Sequence, residues 1–235
     1  MNGMTARLRT GAALALTLVV VSGCTTTVTG VPVRNADSGP TGVQPLRPSQ
    51  LDDVLLSIDR LNEISGATDM EVVLEGEEMS DNSEAVSDPD CLGSIFGAED
   101  QVYRLSDWTD VRDQVAREPD DDNDHWVEQT VVRYATEAQA LDFVEKSTSA
   151  WRDCGGFSVA VDDGTTSSIW EIDDAVVDDD MLTQVIAQED SDGWECQHAM
   201  SAVANVSVEA IACAFGISDE GTTMVRALVA NAARR

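Results

Sequence analysis

The segment "CQHAMSAVANVSVEAIAC" constrains the fold of this chain more than any other. Cys196 and Cys213 bracket it, and its midpoint falls between Ala204 and Asn205. If those two residues form a two-residue hairpin turn, position 203 pairs with 206, 202 with 207, and 196 lands opposite 213. Pairs in an antiparallel ladder alternate between hydrogen-bonded and non-hydrogen-bonded. Counting outward from a hydrogen-bonded 203–206 pair puts the cysteines in the non-hydrogen-bonded class, where Cα atoms approach to about 4.5 Å, near the short end of what a disulfide spans. The register therefore predicts a Cys196–Cys213 bridge within a β-hairpin. Its weak point is the turn. A type I′ turn prefers Asn-Gly, and Ala204 is uncomfortable at positive φ. A longer loop in the same register would preserve the pairing.

Of the five cysteines, Cys24 stands apart. Arg7 and Arg9 form a short positive segment, Gly11 to Val21 is an apolar run of eleven residues, and the small residues Ser22 and Gly23 precede Cys24. That order is a secretory signal. A transmembrane helix needs roughly 20 apolar residues, and Thr25, Thr26, Thr27, Gly30 and Pro32 cannot continue one. Val21-Ser22-Gly23-Cys24 resembles the lipobox of bacterial lipoproteins. The resemblance implies lipidation of Cys24, cleavage before it and a mature chain anchored to the outer face of the cell membrane. Two or more acyl chains anchor stably where one is marginal. Residues 1–23 are then the signal peptide and 24–45 a lipid-anchored flexible linker. The stretch "TTTVTGVPVRNADSGPTGVQP" lacks the apolar periodicity that folding requires.

Four cysteines remain, an even number that reads as two disulfides in an exported chain. With Cys196 and Cys213 joined, Cys91 and Cys154 pair by elimination and tie an early helix to the end of a central one. The chain-entropy relation gives the two loops roughly 3 and roughly 4 kcal/mol. A zinc site is not expected. No two cysteines are spaced C-x-x-C, and the only histidines are His125 and His198.

Net charge bounds the partners. The chain carries 44 acidic and 14 basic residues, a formal charge of −30. Nucleic-acid binding depends on neutralising phosphates with Lys and Arg, so it is excluded, as is adhesion to anionic headgroups without the acyl anchor. Charge of this kind keeps a surface solvated and repulsive and names no ligand.

The folded domain is expected over residues 46–235. Leu51, Val54, Leu55, Ile58, Leu61 and Ile64 recur at helical spacing, with Ser49 as N-cap and Gly66 as stop. "MEVVLE" reads as extended, and a short helix follows Cys91 through Phe96. Strands are expected within "YRLSDWTDVRDQVARE" and "HWVEQTVVRYA", separated by "PDDDND". Asp120, Asp122 and Asp124 do not make a calcium loop, because EF-hand positions 6 and 12 would hold His125 and Val131 instead of Gly and Glu. Thr136 and Gln139 form a capping box on a helix whose apolar stripe is Leu141, Val144, Thr148 and Trp151 beside Ala140. Three more extended runs follow, "FSVAV", "SSIWEI" and "MLTQVIAQ", with acidic turns at Asp162-Asp163 and Asp178 to Asp180. A last helix spans about Ser218 to Ala233, with Asp219 and Glu220 at its start and Arg234 and Arg235 at its end, which suits the helix dipole. The class is α+β, with a mostly antiparallel sheet and flanking helices.

The stretches "LDDVLLSIDRLNEISGATDM", "DCLGSIFGAEDQVY", "ATEAQALDFVEKSTSAWRDC" and "CQHAMSAVANVSVEAIACAFGISDEGTTMVRALV" together resemble the extracellular sensor domain family of the mycobacterial receptor kinase PknH. That family also occurs alone behind a lipobox in actinobacterial lipoproteins. The resemblance implies the same two disulfides, an α+β fold and a sizeable cleft for an unidentified ligand. Two positions depart from it. The family often has proline where Ile58 stands, which would make Ser57 a boundary between two short helices. It also often has Asn-Asn at the hairpin tip, where this chain has Ala204-Asn205.

No G-x-S-x-G, H-E-x-x-H, P-loop or G-x-G-x-x-G is present, so no catalytic residue and no cofactor are expected. His125 reads as a solvent-facing strand residue and His198 as structural. Trp108, Trp126 and Trp170 could be a ligand platform or core, and Trp151 fits core. The reading is a non-catalytic, ligand-binding lipoprotein whose cleft lies between the sheet face carrying Trp126 and Val131 and the flanking helices. A surface protein-interaction scaffold and an envelope hydrolase are the alternatives.

Overall fold

Among the described residues, nine strands form one sheet in the order β1-β2-β3-β9-β8-β7-β5-β4, with β6 added to β7. The structure is a computed structural model and describes residues 42–119, 123–162 and 164–235. The signal, the lipobox, the linker before residue 42, the tip residues Asp120 to Asp122 and Asp163 lie outside that range. The strands are β1 (Glu71–Gly76), β2 (Trp108–Arg117), β3 (His125–Tyr134), β4 (Ser158–Asp162), β5 (Ser167–Ile172), β6 (Val176–Asp178), β7 (Met181–Gln188), β8 (Trp194–Val203) and β9 (Val206–Phe215). The helices are α1 (Ile58–Ser65), α2 (Leu92–Ile95), α3 (Asp100–Tyr103), α4 (Glu137–Cys154) and α5 (Glu220–Ala232). All strand pairings are antiparallel, and the fold is α+β.

The β8–β9 hairpin has the expected register. Val203 pairs with Val206 and Cys196 with Cys213. Cys196 and Cys213 are bonded with Cα atoms 3.9 Å apart, and Cys91 is bonded to Cys154 with Cα atoms 5.6 Å apart. Ala204 does take positive φ, +50°. The tip is buried rather than solvated, and Asn205 anchors it. Asn205 Oδ1 accepts the Leu46 N–H at 2.6 Å, and its Nδ2 donates to the carbonyls of Leu46 (3.1 Å) and Tyr134 (2.9 Å).

Helices cover both faces. On one, α1 and α5 pack Leu61, Met224, Val225 and Leu228 against Val127, Val131, Val203, Val208 and Ala210. Gly221 brings the start of α5 against β8, since a Cβ there would sit 2.4 Å from the Gln197 carbonyl oxygen. On the other face, α4 places Ala140, Phe143 and Trp151 against Val132, Tyr134, Leu182 and Met200.

Two expectations need correction. The first helix does not run from Leu51 to Ile64. A 3-10 turn covers Pro48–Gln50 and a regular helix begins at Ile58, capped by Ser57, whose hydroxyl accepts the Arg60 N–H. The break has a distant cause. Buried Gln129 on β3 takes both the N–H (2.8 Å) and the carbonyl (3.0 Å) of Leu56, the groups that a continuous helix would need. The second correction concerns α4, whose buried residues are Ala140, Phe143, Ser147, Trp151 and Cys154. Leu141 is exposed and Thr148 only partly buried. The capping box of Thr136 and Gln139 is present.

Candidate functional site

Residues with alternating direction on a strand face opposite sides of a sheet. That parity puts Trp126 and Val131 on opposite faces, so the cleft expected between one face carrying both and the helices does not exist. Val131 lies in the core under α1 and α5, while Trp126 packs near Cys213 and Trp194 on the α4 side. Trp151 is buried under α4, Trp108, Trp126, Trp170 and Trp194 are half-buried, and all five tryptophans pack within the hydrophobic clusters.

What the α4-side face does carry is a row of buried polar side chains across five adjacent strands. Asp113 on β2 pairs with Thr130 on β3, and Thr130 with Glu209 on β9. His198 on β8 lies one step along, and Gln184 on β7 pairs with it. The Thr130 hydroxyl donates to Asp113 Oδ1 at 2.7 Å. Tyr103, on α3, donates to Glu209 Oε2 at 2.7 Å. His198 Nε2 lies 2.6 Å from Glu209 Oε1, and its Nδ1 lies 3.3 Å from the Ser94 carbonyl. The Trp151 ring sits 4.1 Å from the imidazole. Gln184 Nε2 donates to the carbonyls of Trp151 and Asp173. The Ser94 hydroxyl and Gln184 Oε1 are buried without a hydrogen-bond partner. Burial, and then the neighbouring Glu209, push the Tyr103 phenol well above its ordinary pKa, so it stays a donor.

On the opposite face of the sheet, the side that carries Gln114 and Gln129, lies a surface cavity. The cavity, about 300 Å³, lies beside β1 and β2 and is lined by Asp52, Glu75, Glu77, Arg112, Asp113 and Gln114 among others. Asp113 borders the cavity between Arg112 and Gln114, but strand alternation points its side chain away, to Thr130 on the α4 side. Arg112 is held by Asp52 at 2.6 Å and Glu77 at 3.3 Å. Glu75 accepts from Gln114 Nε2 at 2.8 Å, and Gln114 accepts from Gln129 Nε2 at 2.8 Å. The wall is thus fixed to the core by a chain of amides. Its three rim carboxylates favour cationic or hydroxyl-bearing groups over anions.

The two histidines are not arranged as a nucleophile and base. His198 is sealed beneath Trp151. His125 is half-buried against Glu118, Nδ1 to Oε1 2.6 Å. Burial pushes Glu118 up, but the hydrogen bonds from His125 outweigh it and hold this carboxyl below its ordinary value. No group of three or more His, Cys, Asp or Glu side chains among the described residues is placed to hold a metal ion. Nor is any helix among them long and apolar enough to cross a membrane.

Sequence reasoning passed over Glu99, Asp113, Glu128 and Glu209. A signal existed in "HWVEQTVV" and "VSVEAIAC". Both are central strands flanked by apolar residues on either face, so a polar residue inside them must be buried and must find a partner.

A profile of the PknH-like extracellular domain matches residues 46–235. The serine/threonine-protein kinase PknH of Mycobacterium bovis is 31% identical over 217 residues, 92% of this chain and 36% of the kinase. PknH of Mycobacterium tuberculosis is 31% identical over 186 residues, 79% of this chain and 30% of the kinase. The chain thus spans about a third of the length of these relatives. The crystal structure of the extracellular domain of PknH from Mycobacterium tuberculosis superposes with a TM-score of 0.79 at 31% identity, covering 83% of this chain and 100% of that one.

Proposed function

Because the chain belongs to the PknH-like extracellular domain family, we propose that it is an envelope lipoprotein, tethered through Cys24, whose sensor-like domain binds a ligand without transforming it. The observation that carries the binding half is the cavity of about 300 Å³ beside β1 and β2, rimmed by Asp52, Glu75 and Glu77. That volume is at the small end of ligand pockets. A small ligand bearing amino or hydroxyl groups suits Asp52, Glu75 and Glu77. The amide chain from Gln129 preorganises the wall, which lowers the ordering cost of binding.

A protein-interaction role is the second reading, and one observation favours it. β1 is an edge strand with Val72, Val73 and Leu74 exposed, and such edges can accept a further strand. Carboxylates at Glu71 and Glu75 and a bulge between Val72 and Leu74 work against that.

The binding reading is tested by thermal denaturation of the folded domain with envelope amines, glycans, lipids and peptides, assayed in parallel for turnover. A ligand that binds only the folded state stabilises it by RT ln(1 + [L]/Kd), about 2.7 kcal/mol at a hundredfold excess over Kd. The shift should vanish in Asp52→Asn/Glu77→Gln, whose side chains are solvent-facing and outside the core. Reproducible turnover that is lost on changing a single carboxylate or histidine would move the protein to the enzymes.

A further inference from the structure

Between α2 and α3 the chain crosses the α4-side face of the sheet as a short strap, Gly97 to Glu99, which lies directly on Glu128. A Cβ at Gly97 would stand 3.0 Å from the Glu128 carboxyl group, so a side chain there would push Glu128 aside by a few tenths of an ångström. Ala98 is fully buried with φ +49°, a left-handed conformation that a residue with a Cβ holds only under constraint. The constraint is visible. The Ser80 N–H donates to the Ala98 carbonyl at 2.8 Å and the Asp100 N–H to the Ser80 carbonyl at 2.8 Å. The Glu99 carboxyl group accepts the Asn82 N–H at 2.8 Å and the Asn82 side-chain amide.

Four carboxyl groups meet under and around this strap. Glu99, Asp113, Glu128 and Glu209 are 0%, 5%, 8% and 3% exposed. Asp113 and Glu128 are diagonal neighbours on this face, since Asp113 pairs with Thr130 and Val115 with Glu128. A carboxyl group buried among other carboxyl groups holds its proton to higher pH than one in water. The groups facing the pair are Thr130 from β3, Glu209 from β9 and Glu99 from the strap, while Asp81, exposed in the loop before α2, acts on Glu99. Glu209 is itself engaged by Tyr103 and His198. Arg112, the neighbour of Asp113 in β2, is held by Asp52 and Glu77 and does not pair with Asp113 or Glu128.

We propose that Gly97–Glu99 is a proton-locked strap: it stays closed while Glu128, beneath it and beside Asp113, keeps its proton, and it lifts when that proton passes to bulk water, uncovering the polar row beneath. Three facts of the fold drive this. The lost proton leaves two adjacent carboxylates in a site of low dielectric, where repulsion is strong. A third carboxyl group, Glu99, is part of the strap itself. The strained Ala98 relaxes when the strap opens. The titration supports the same direction. Burial, then Asp113, then Glu209, push Glu128 well above its ordinary range, and burial raises Asp113 and Glu99. An acid whose folded-state pKa is raised stabilises the closed form below its ordinary pKa, and that stability is lost as pH rises toward the raised value. The strap is therefore closed in acid and opens on alkalinisation. It goes beyond the ligand reading, and its test needs no ligand.

The reporters are the amide protons of Ser80 and Asp100, whose bonds exist only with the strap closed. Hydrogen exchange followed by NMR on the folded protein, corrected for intrinsic rates, should show their protection falling about tenfold per pH unit above the onset. Amides of β8 and β9 should keep their protection over the same range. In Glu128→Gln, an isosteric group that cannot ionise, Ser80 and Asp100 should stay protected throughout. Asp113→Asn removes the neighbouring charge and should make the loss of protection with pH smaller than in the parent. Protection at Ser80 and Asp100 that is as flat in the parent as in Glu128→Gln would overturn the proposal. So would a loss in step with β8 and β9, which reports global unfolding.

Discussion

Replacing Asn205 with alanine is expected to destabilise the domain by about 3 kcal/mol or more, although the residue sits at the tip of a hairpin where substitutions are usually mild. The tip is buried, with Asn205 1% exposed. Its side chain satisfies three backbone groups, the N–H and carbonyl of Leu46 and the carbonyl of Tyr134. Each buried group left unpaired costs about 1–3 kcal/mol. For a domain of this size about 3 kcal/mol lowers Tm by roughly 6–12 °C. Asn205→Asp should fare no better, because it turns the donor that faces two carbonyls into an acceptor. Differential scanning calorimetry decides the matter. A drop below about 2 °C for Asn205→Ala would show that Leu46 and the end of β3 are held in some other way.

The two disulfides are expected to contribute unequally. In the chain-entropy relation, the Cys91–Cys154 bridge, with a sequence separation of 63, contributes about 4 kcal/mol, and Cys196–Cys213, with a separation of 17, about 3 kcal/mol. The structure widens this gap. Cys196 and Cys213 lie within a ladder paired from Trp194–Phe215 to Val203–Val206, flanked by β3 and β7, so the hairpin is held without its bridge. Cys91 belongs to a 3-10 turn followed by the four-residue α2. Its bridge is what fastens that short segment, and the strap beyond it, to the C-terminal end of α4. Urea denaturation of Cys91→Ala/Cys154→Ala and Cys196→Ala/Cys213→Ala under oxidising conditions should show the larger loss for the first pair. The reverse order would mean that α2 is secured by packing alone.

Local signals carried the elements whose stability is local. The hairpin register followed from symmetric spacing about Ala204-Asn205, and α4 followed from its capping box. The helix expected over Leu51 to Ile64 failed because its fate is decided by Gln129, 73 positions from Leu56. No window of sequence around residue 56 contains that amide. The family's frequent proline in place of Ile58 did point to the break at Ser57. The stripe on α4 was misplaced by about one position because Phe143, not Leu141, meets Tyr103 and Tyr134, a choice made by the partner surface. The candidate site was partly legible. Parity along β3 separates Trp126 from Val131, and an acid within a doubly covered strand must be buried. That Asp113, Glu128 and Glu209 converge under one strap depends on the order β2-β3-β9, which joins strands distant in sequence.

The proposed lipid tether outside the cell membrane turns on Cys24. The direct measurement is fractionation of cells carrying Cys24→Ala beside the parent, with metabolic labelling by a fatty acid. The parent should be labelled, remain with the membrane fraction and be cleaved by protease added from outside. Cys24→Ala should lose the label and leave the membrane fraction, with its two disulfides and its unfolding transition unchanged. Retention of unlabelled Cys24→Ala in the membrane fraction at the parent's level would contradict the account.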